Sequence, residues 1–164
     1  MTAVMMDSAV KAVEDSSLLE LWTVRVSDVE KLSNPMDDNV WGCGPIDGEE
    51  VLSYNDLSNG ALPAGMRDAE GISWADDISS RDFNIARIAW LARNGWDDTK
   101  DPISLDVYPD SLEEWPAIVD GNHRFSAALI SDMDTIRVTV SGDIDFLMET
   151  LKPSKIEYIK NPAK

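Results

Sequence analysis

The only histidine of the chain, His123, stands in the run Ile118-Val119-Asp120-Gly121-Asn122-His123-Arg124-Phe125-Ser126-Ala127-Ala128. A short apolar strand, Ala117 to Val119, runs into Asp120-Gly121, and a helix-forming stretch follows at once. Such a turn presents the first backbone N–H groups of a helix, which have no acceptor within it. Together with the positive end of the helix dipole they attract phosphate or carboxylate. His123 and Arg124 add a titratable donor and a permanent cation to the first turn, an unfavourable place for cations unless an anion offsets them.

Two carboxylates are candidates for metal binding or general-base work. Asp120 directly precedes the turn, and Asp106 ends the strand Ile103 to Val107. With His123 they form the candidate catalytic set, and Asp120 and Asp106 are the candidate Mg²⁺ ligands. A plainer reading of the same residues also stands. Asp120-Gly121 makes a turn, Asn122 caps the helix, His123 and Arg124 face solvent, and Asp106 serves as a cap or ion-pair partner. Cys43 lies far from the motif in sequence, within an acidic section.

The elements that must position these residues follow from periodicity. Ala3 to Leu21 reads as an amphipathic N-terminal helix, with Met6, Val10 and Val13 at helical spacing and Leu18, Leu19 and Leu21 after them. Trp22 to Val26 alternates as a strand. Ser27 with Glu30 resembles a capping box, so a short helix is expected to start there and to end near Asn34-Pro35. From Ser33 to Ser80 glycine, proline and asparagine are frequent, and at most one short helix, near Gly48 to Leu57, is expected. Trp41 and Trp74 imply that this section packs onto something. Asp82 to Asn94 reads as a buried helix, apolar around much of its girth and stopped by Gly95. The motif helix is expected over about Asn122 to Ser131, where Ala127 and Ala128 would let it lie close to a sheet. A strand over Thr135 to Val140 and a helix over Ile144 to Leu151 close the series. The tail, 152–164, is expected to be loose. The order is mixed, which gives α+β with a small sheet, in one domain over 1–164 whose core is 81–151.

Composition narrows the function classes. Thirty-one acids against fourteen bases leave a formal charge of −17. A surface of that sign repels a nucleic-acid backbone, so direct nucleic-acid binding is not expected. The charge is either a solubility device or a surface that imitates DNA and occupies a basic partner. No run of 18 or more apolar residues occurs, so no transmembrane helix is expected. Met1 to Val13 has no basic region ahead of an apolar stretch, so no signal peptide is expected. A single cysteine fits a reducing compartment, and the cytoplasm is the expected location.

The strand-Asp120-Gly121-Asn122-His123-Arg124-x-x-Ala127-Ala128 motif follows a buried helix (Arg87 to Leu91), a Gly95-Trp96 turn and the strand Ile103 to Val107. In this order it resembles the ParB/sulfiredoxin superfamily. The resemblance covers about Arg81 to Leu147, with a weaker match over Trp22 to Pro35, where Asn34-Pro35 is similar to the opening turn of ParB-type domains. It implies a small mixed sheet with packed helices, beside which composition sets the long acidic, loop-rich section 33–80. It also implies a bound nucleotide, CTP or ATP with Mg²⁺, held at Gly121, Asn122, His123 and Arg124. Sulfiredoxins place their reactive cysteine where Asn122 stands, so sulfinic-acid reduction is not expected. No helix-turn-helix domain is expected after residue 151. The expected function is a nucleotide-binding ParB-like protein; as an enzyme it would be a nucleotide hydrolase or phosphotransferase. The alternative is a non-enzymatic interaction protein of phage or mobile-element type, whose acidic section 37–77 meets a basic DNA-binding protein.

Overall fold

The computed structural model describes residues 18–55, 81–111, 116–153 and 155–160. It is mixed α+β. A five-stranded sheet has the order β3-β2-β4-β1-β5, with β1 Leu18–Arg25, β2 Ile103–Val107, β3 Ile118–Asp120, β4 Thr135–Gly142 and β5 Lys155–Lys160. β2 and β4 run parallel, and the other neighbours are antiparallel. The helices are α1 Val26–Glu30, α2 Gly48–Ser53, α3 Arg81–Asn94, α4 Asn122–Ile130 and α5 Ile144–Leu151.

The sheet explains two departures from the sequence reading. Leu18 to Leu21 are strand, not the end of an N-terminal helix; residues 3–17 of that expected helix lie outside the described residues. β1 is a central strand between β4 and β5, so it is apolar on both faces and does not show the clean alternation of a half-exposed strand. Val24 and Leu21, an odd number of positions apart, are buried on opposite faces. At the other end, Lys155 to Lys160 are not a loose tail. They pair antiparallel with β1, from Leu18↔Lys160 to Thr23↔Lys155.

α1 starts directly out of β1, with Arg25 as an extended N-cap and no side-chain capping bond, so Ser27 is not its cap. The chain then turns through Asn34-Pro35, where the Asn34 carbonyl accepts from the N–H groups of Asp37 and Asp38. Residues 36–46 form a closed loop, tied by Ile46 N–H to Met36 O at 2.9 Å and by Gly44 N–H to the Asn39 side chain at 2.7 Å. Asp47 opens α2 with a full capping box to Glu50. α2 ends at Ser53, inside the span expected for the acidic section's short helix.

Two buried clusters meet on α4. Phe125 and Ala128 face the sheet core of Ile103, Leu105, Ile118, Ile136, Val138, Leu147 and Leu151. Ala127 faces the second cluster, where Met36, Trp41, Ile46 and Val51 pack on Ile85, Ile88, Ala89 and Leu91 of α3. Both alanines are fully buried, so the helix is held between two layers and larger side chains would push them apart. Its N-terminus is fixed in place by that packing.

Candidate functional site

The site is built where β3 hands over to α4. Gly121 is the N-cap residue, with φ of +99°, a left-handed conformation that glycine adopts without steric cost. A Cβ there would lie 2.9 Å from Cγ1 of Ile103 and 3.2 Å from the Arg124 guanidinium. Glycine is required on both counts. Having no side chain, it gives α4 no side-chain cap, and the first turn of α4 contains no carboxylate. The other end-capped helices differ: Asp47 and Asp143 accept from first-turn N–H groups of α2 and α5.

His123, in the first turn of α4, is enclosed by three residues from elsewhere in the chain. Its imidazole stacks on Trp41, with ring centroids 4.6 Å apart and planes 18° from parallel. Phe83 meets it edge-on at 6.3 Å. Its Nε2 lies 2.7 Å from Oδ1 of Asn84, a fully buried side chain on α3. An amide oxygen only accepts, so with the Asn84 amide in this orientation Nε2 carries the hydrogen. The Asn84 Nδ2 donates in turn towards Sγ of Cys43 at 3.8 Å. Cys43, distant in sequence, is thus one side chain away from His123. The amide between them relays no proton from one to the other; it positions both side chains.

Arg124 is buried rather than solvent-facing, at 2% exposure. Its guanidinium pairs with Asp101 Oδ1 at 2.6 Å and Asp120 Oδ2 at 3.3 Å. It also donates to the Pro102 carbonyl at 3.0 Å and to the Asp101 carbonyl. One fork therefore binds the loop before β2, the end of β3 and the first turn of α4 together. Arg, with five donors in a planar array, suits this task where lysine would not. Among the described residues, Oδ2 of Asp101 and Oδ1 of Asn122 are buried without a hydrogen-bond partner.

Asp106 is not brought to this site. Ile103, Leu105 and Val107 of β2 point into the core beneath the helices, and Asp106 lies on the other face. There it accepts from the Ser141 hydroxyl at 3.0 Å, across its parallel partner position. Asp120, Gly121, Asn122, His123 and Arg124 are grouped by the turn itself. Among the described residues, no three of His, Cys, Asp and Glu converge to hold a metal ion. The described residues alone therefore do not build a resident metal site. A Mg²⁺ carried in by a nucleotide needs only one or two carboxylates, and Asp120, with its side chain 39% exposed, fits that role.

The acidic section contributes more than charge. Arg81, at the start of α3, donates to the carbonyls of Cys43 and Pro45 and pairs with Glu50 at 2.6 Å. That contact holds the Glu50 carboxyl below its ordinary range, chiefly through the Arg81 hydrogen bond, and raises Arg81 correspondingly. The loop bearing Trp41 and Cys43 is thereby fastened to the helix bearing Phe83 and Asn84. Sequence reasoning missed Asn84, Phe83 and Asp101. A polar residue between Phe83 and Ile85, on a helix apolar around most of its girth, was the signal available for Asn84. Nothing local marks Asp101.

No protein-family model, curated protein or solved structure matches the chain. No described helix is long and apolar enough to cross a membrane.

Proposed function

We propose that the chain binds a phosphate-bearing nucleotide, ATP or CTP with Mg²⁺, at the N-terminus of α4. Kinship with the ParB/sulfiredoxin superfamily is part of the same proposal. The observation that carries it is the start of α4: a left-handed glycine cap and no carboxylate in the first turn, in a chain of net charge −17 whose α2 and α5 are carboxylate-capped. A phosphate is the anion that such a turn accepts.

Local charge decides what must accompany the phosphate. Arg124 contributes one positive charge and Asp101 with Asp120 two negative ones. The helix end adds about +0.5, which leaves about −0.5 for these groups among the described residues. A bare triphosphate meets a slightly repulsive site. With Mg²⁺ the sum becomes about +1.5, so binding is expected to require the cation. In this reading Gly121 and Asn122 form the cradle, Asp120 meets the Mg²⁺, and His123 forms a wall held by Trp41 and Asn84. Arg124 fixes the turn from beneath. The reading is of binding; Asp106, on the other sheet face, has no part in it.

The test is a titration of ATP and of CTP, with and without Mg²⁺, followed by backbone amide shifts. Magnesium-dependent shifts centred on Gly121 to Phe125 are expected. Shifts centred elsewhere, or none at millimolar nucleotide, would overturn the proposal.

A further inference from the structure

At the opposite end of α4 an open groove of about 450 Å³ runs between α1, the Asn34 turn and the segment leading into β4. Its volume falls within the range of roughly 300–1,000 Å³ typical of binding sites. Met36, Met133, Leu129 and Ile130 give it an apolar floor, and Glu30, Asp132 and Asp134 stand exposed around it. Methionine side chains adapt to irregular apolar groups, which suits a floor that must fit an incoming side chain.

The rim is unpaired. Among the described residues, Glu30, Asp132 and Asp134 have no ion-pair partner. The nearest cation in sequence, Lys31, is turned to Asp28 at 3.3 Å. α4 also ends here without a basic residue in its last turn, so the negative end of its dipole adds to the three carboxylates. We infer that this groove docks a basic segment of a partner protein in which an apolar residue alternates with arginine or lysine. The apolar side chain sits on the methionine floor, and the cationic heads meet Glu30, Asp132, Asp134 and the α4 carbonyl end. Nucleic acid and anionic lipid surfaces are repelled by the same charges. The groove is separate from the turn at Gly121, and its occupation does not depend on nucleotide binding there.

The probes are two short peptides of equal charge, one alternating arginine with leucine and the other alternating arginine with glycine. The arginine–leucine peptide is expected to bind more tightly and to shift the amides of Glu30, Met36 and Ile130 to Asp134. The double variant Asp132→Asn/Asp134→Asn is expected to weaken it about 2- to 30-fold, because exposed ion pairs contribute roughly 0.2–1 kcal/mol each. Asparagine tolerates the left-handed backbone of Asp132, at φ of +51°, so this variant keeps the turn. A charge-matched control, Asp110→Asn/Asp145→Asn, is expected to bind as the parent does. Equal binding of both peptides, equal weakening by both double variants, or shifts spread over the whole acidic surface would overturn the inference. So would absence of binding at millimolar peptide.

Discussion

The Trp41 indole lies flat on the His123 imidazole, 4.6 Å between ring centroids, and so joins the loop after Asn34-Pro35 to the first turn of α4. The contact connects residues 82 positions apart and fixes one wall of the candidate site. Offset or near-parallel aromatic pairs contribute about 0.5–1.5 kcal/mol beyond the area they bury. The loop itself holds little regular structure, so this stack, the apolar packing of Met36 and Ile46 on α3, the Asn84 contact to Cys43 and the Arg81 hydrogen bonds secure it over α3 and α4.

Trp41→Ala is expected to cost about 3–5 kcal/mol in urea unfolding, the range for truncating a buried tryptophan. His123→Phe keeps a ring against Trp41 but removes the Nε2–Asn84 hydrogen bond, at about 1–3 kcal/mol. If His123→Phe is neutral, the Nε2–Asn84 bond does not hold the ring.

Arg124→Met is expected to destabilise by about 1–3 kcal/mol, because it leaves the Asp101 carboxylate and the Asp101 and Pro102 carbonyls without this donor. Arg124→Lys keeps the charge but cannot bridge two carboxylates and two carbonyls, so it should recover only part of the loss. Chemical denaturation measures both. A loss under about 1 kcal/mol for Arg124→Met would match the solvent-facing arginine of the plain-turn reading, since surface pairs contribute little.

Acid should loosen the acidic section first. The Glu50 carboxyl is held below its ordinary range, first by the Arg81 hydrogen bond and then by the Asp47 backbone. A carboxyl with a depressed folded-state pKa stabilises the fold above its unfolded value, about 4.3. That contribution is lost as pH falls through the lower folded value. Asp97, lowered by its Thr99 hydrogen bonds, behaves in the same sense. Amide exchange in 43–53 is expected to quicken below about pH 4, and Glu50→Gln should remove that step. An unchanged acid profile in Glu50→Gln would show that the Arg81–Glu50 pair does not hold the loop.

The legible part of the fold was local and punctuated. α3 stops at Gly95, β2 and β3 lie between prolines and the Asp120-Gly121 turn, and α5 runs from Ile144 to Leu151 ahead of Pro153; each is readable from its own residues. β1 was misread over Leu18 to Leu21 because a strand paired on both sides lacks the alternation that reveals one. β5 reads as a tail because its pairing partner lies more than a hundred residues earlier, while its lysines look like solvated chain. The site followed the same division. Gly121 and the α4 start could be read directly, whereas Trp41 and Asn84 reach His123 only through tertiary packing. The neighbours of Arg124 in sequence leave it facing either a bound anion or solvent; the Asp101 carboxylate that draws it inward carries no local signal.

The most direct test of nucleotide binding at α4 is calorimetric titration of Mg²⁺-CTP and Mg²⁺-ATP into the protein and into Asn122→Asp. That change is nearly isosteric and puts a negative charge into the first turn of α4, where the phosphate would lie. The account predicts magnesium-dependent heat with the parent and at least about a tenfold loss of affinity, about 1.4 kcal/mol, in Asn122→Asp. Equal affinity in the two proteins, or no binding of either nucleotide at millimolar concentration, would contradict it.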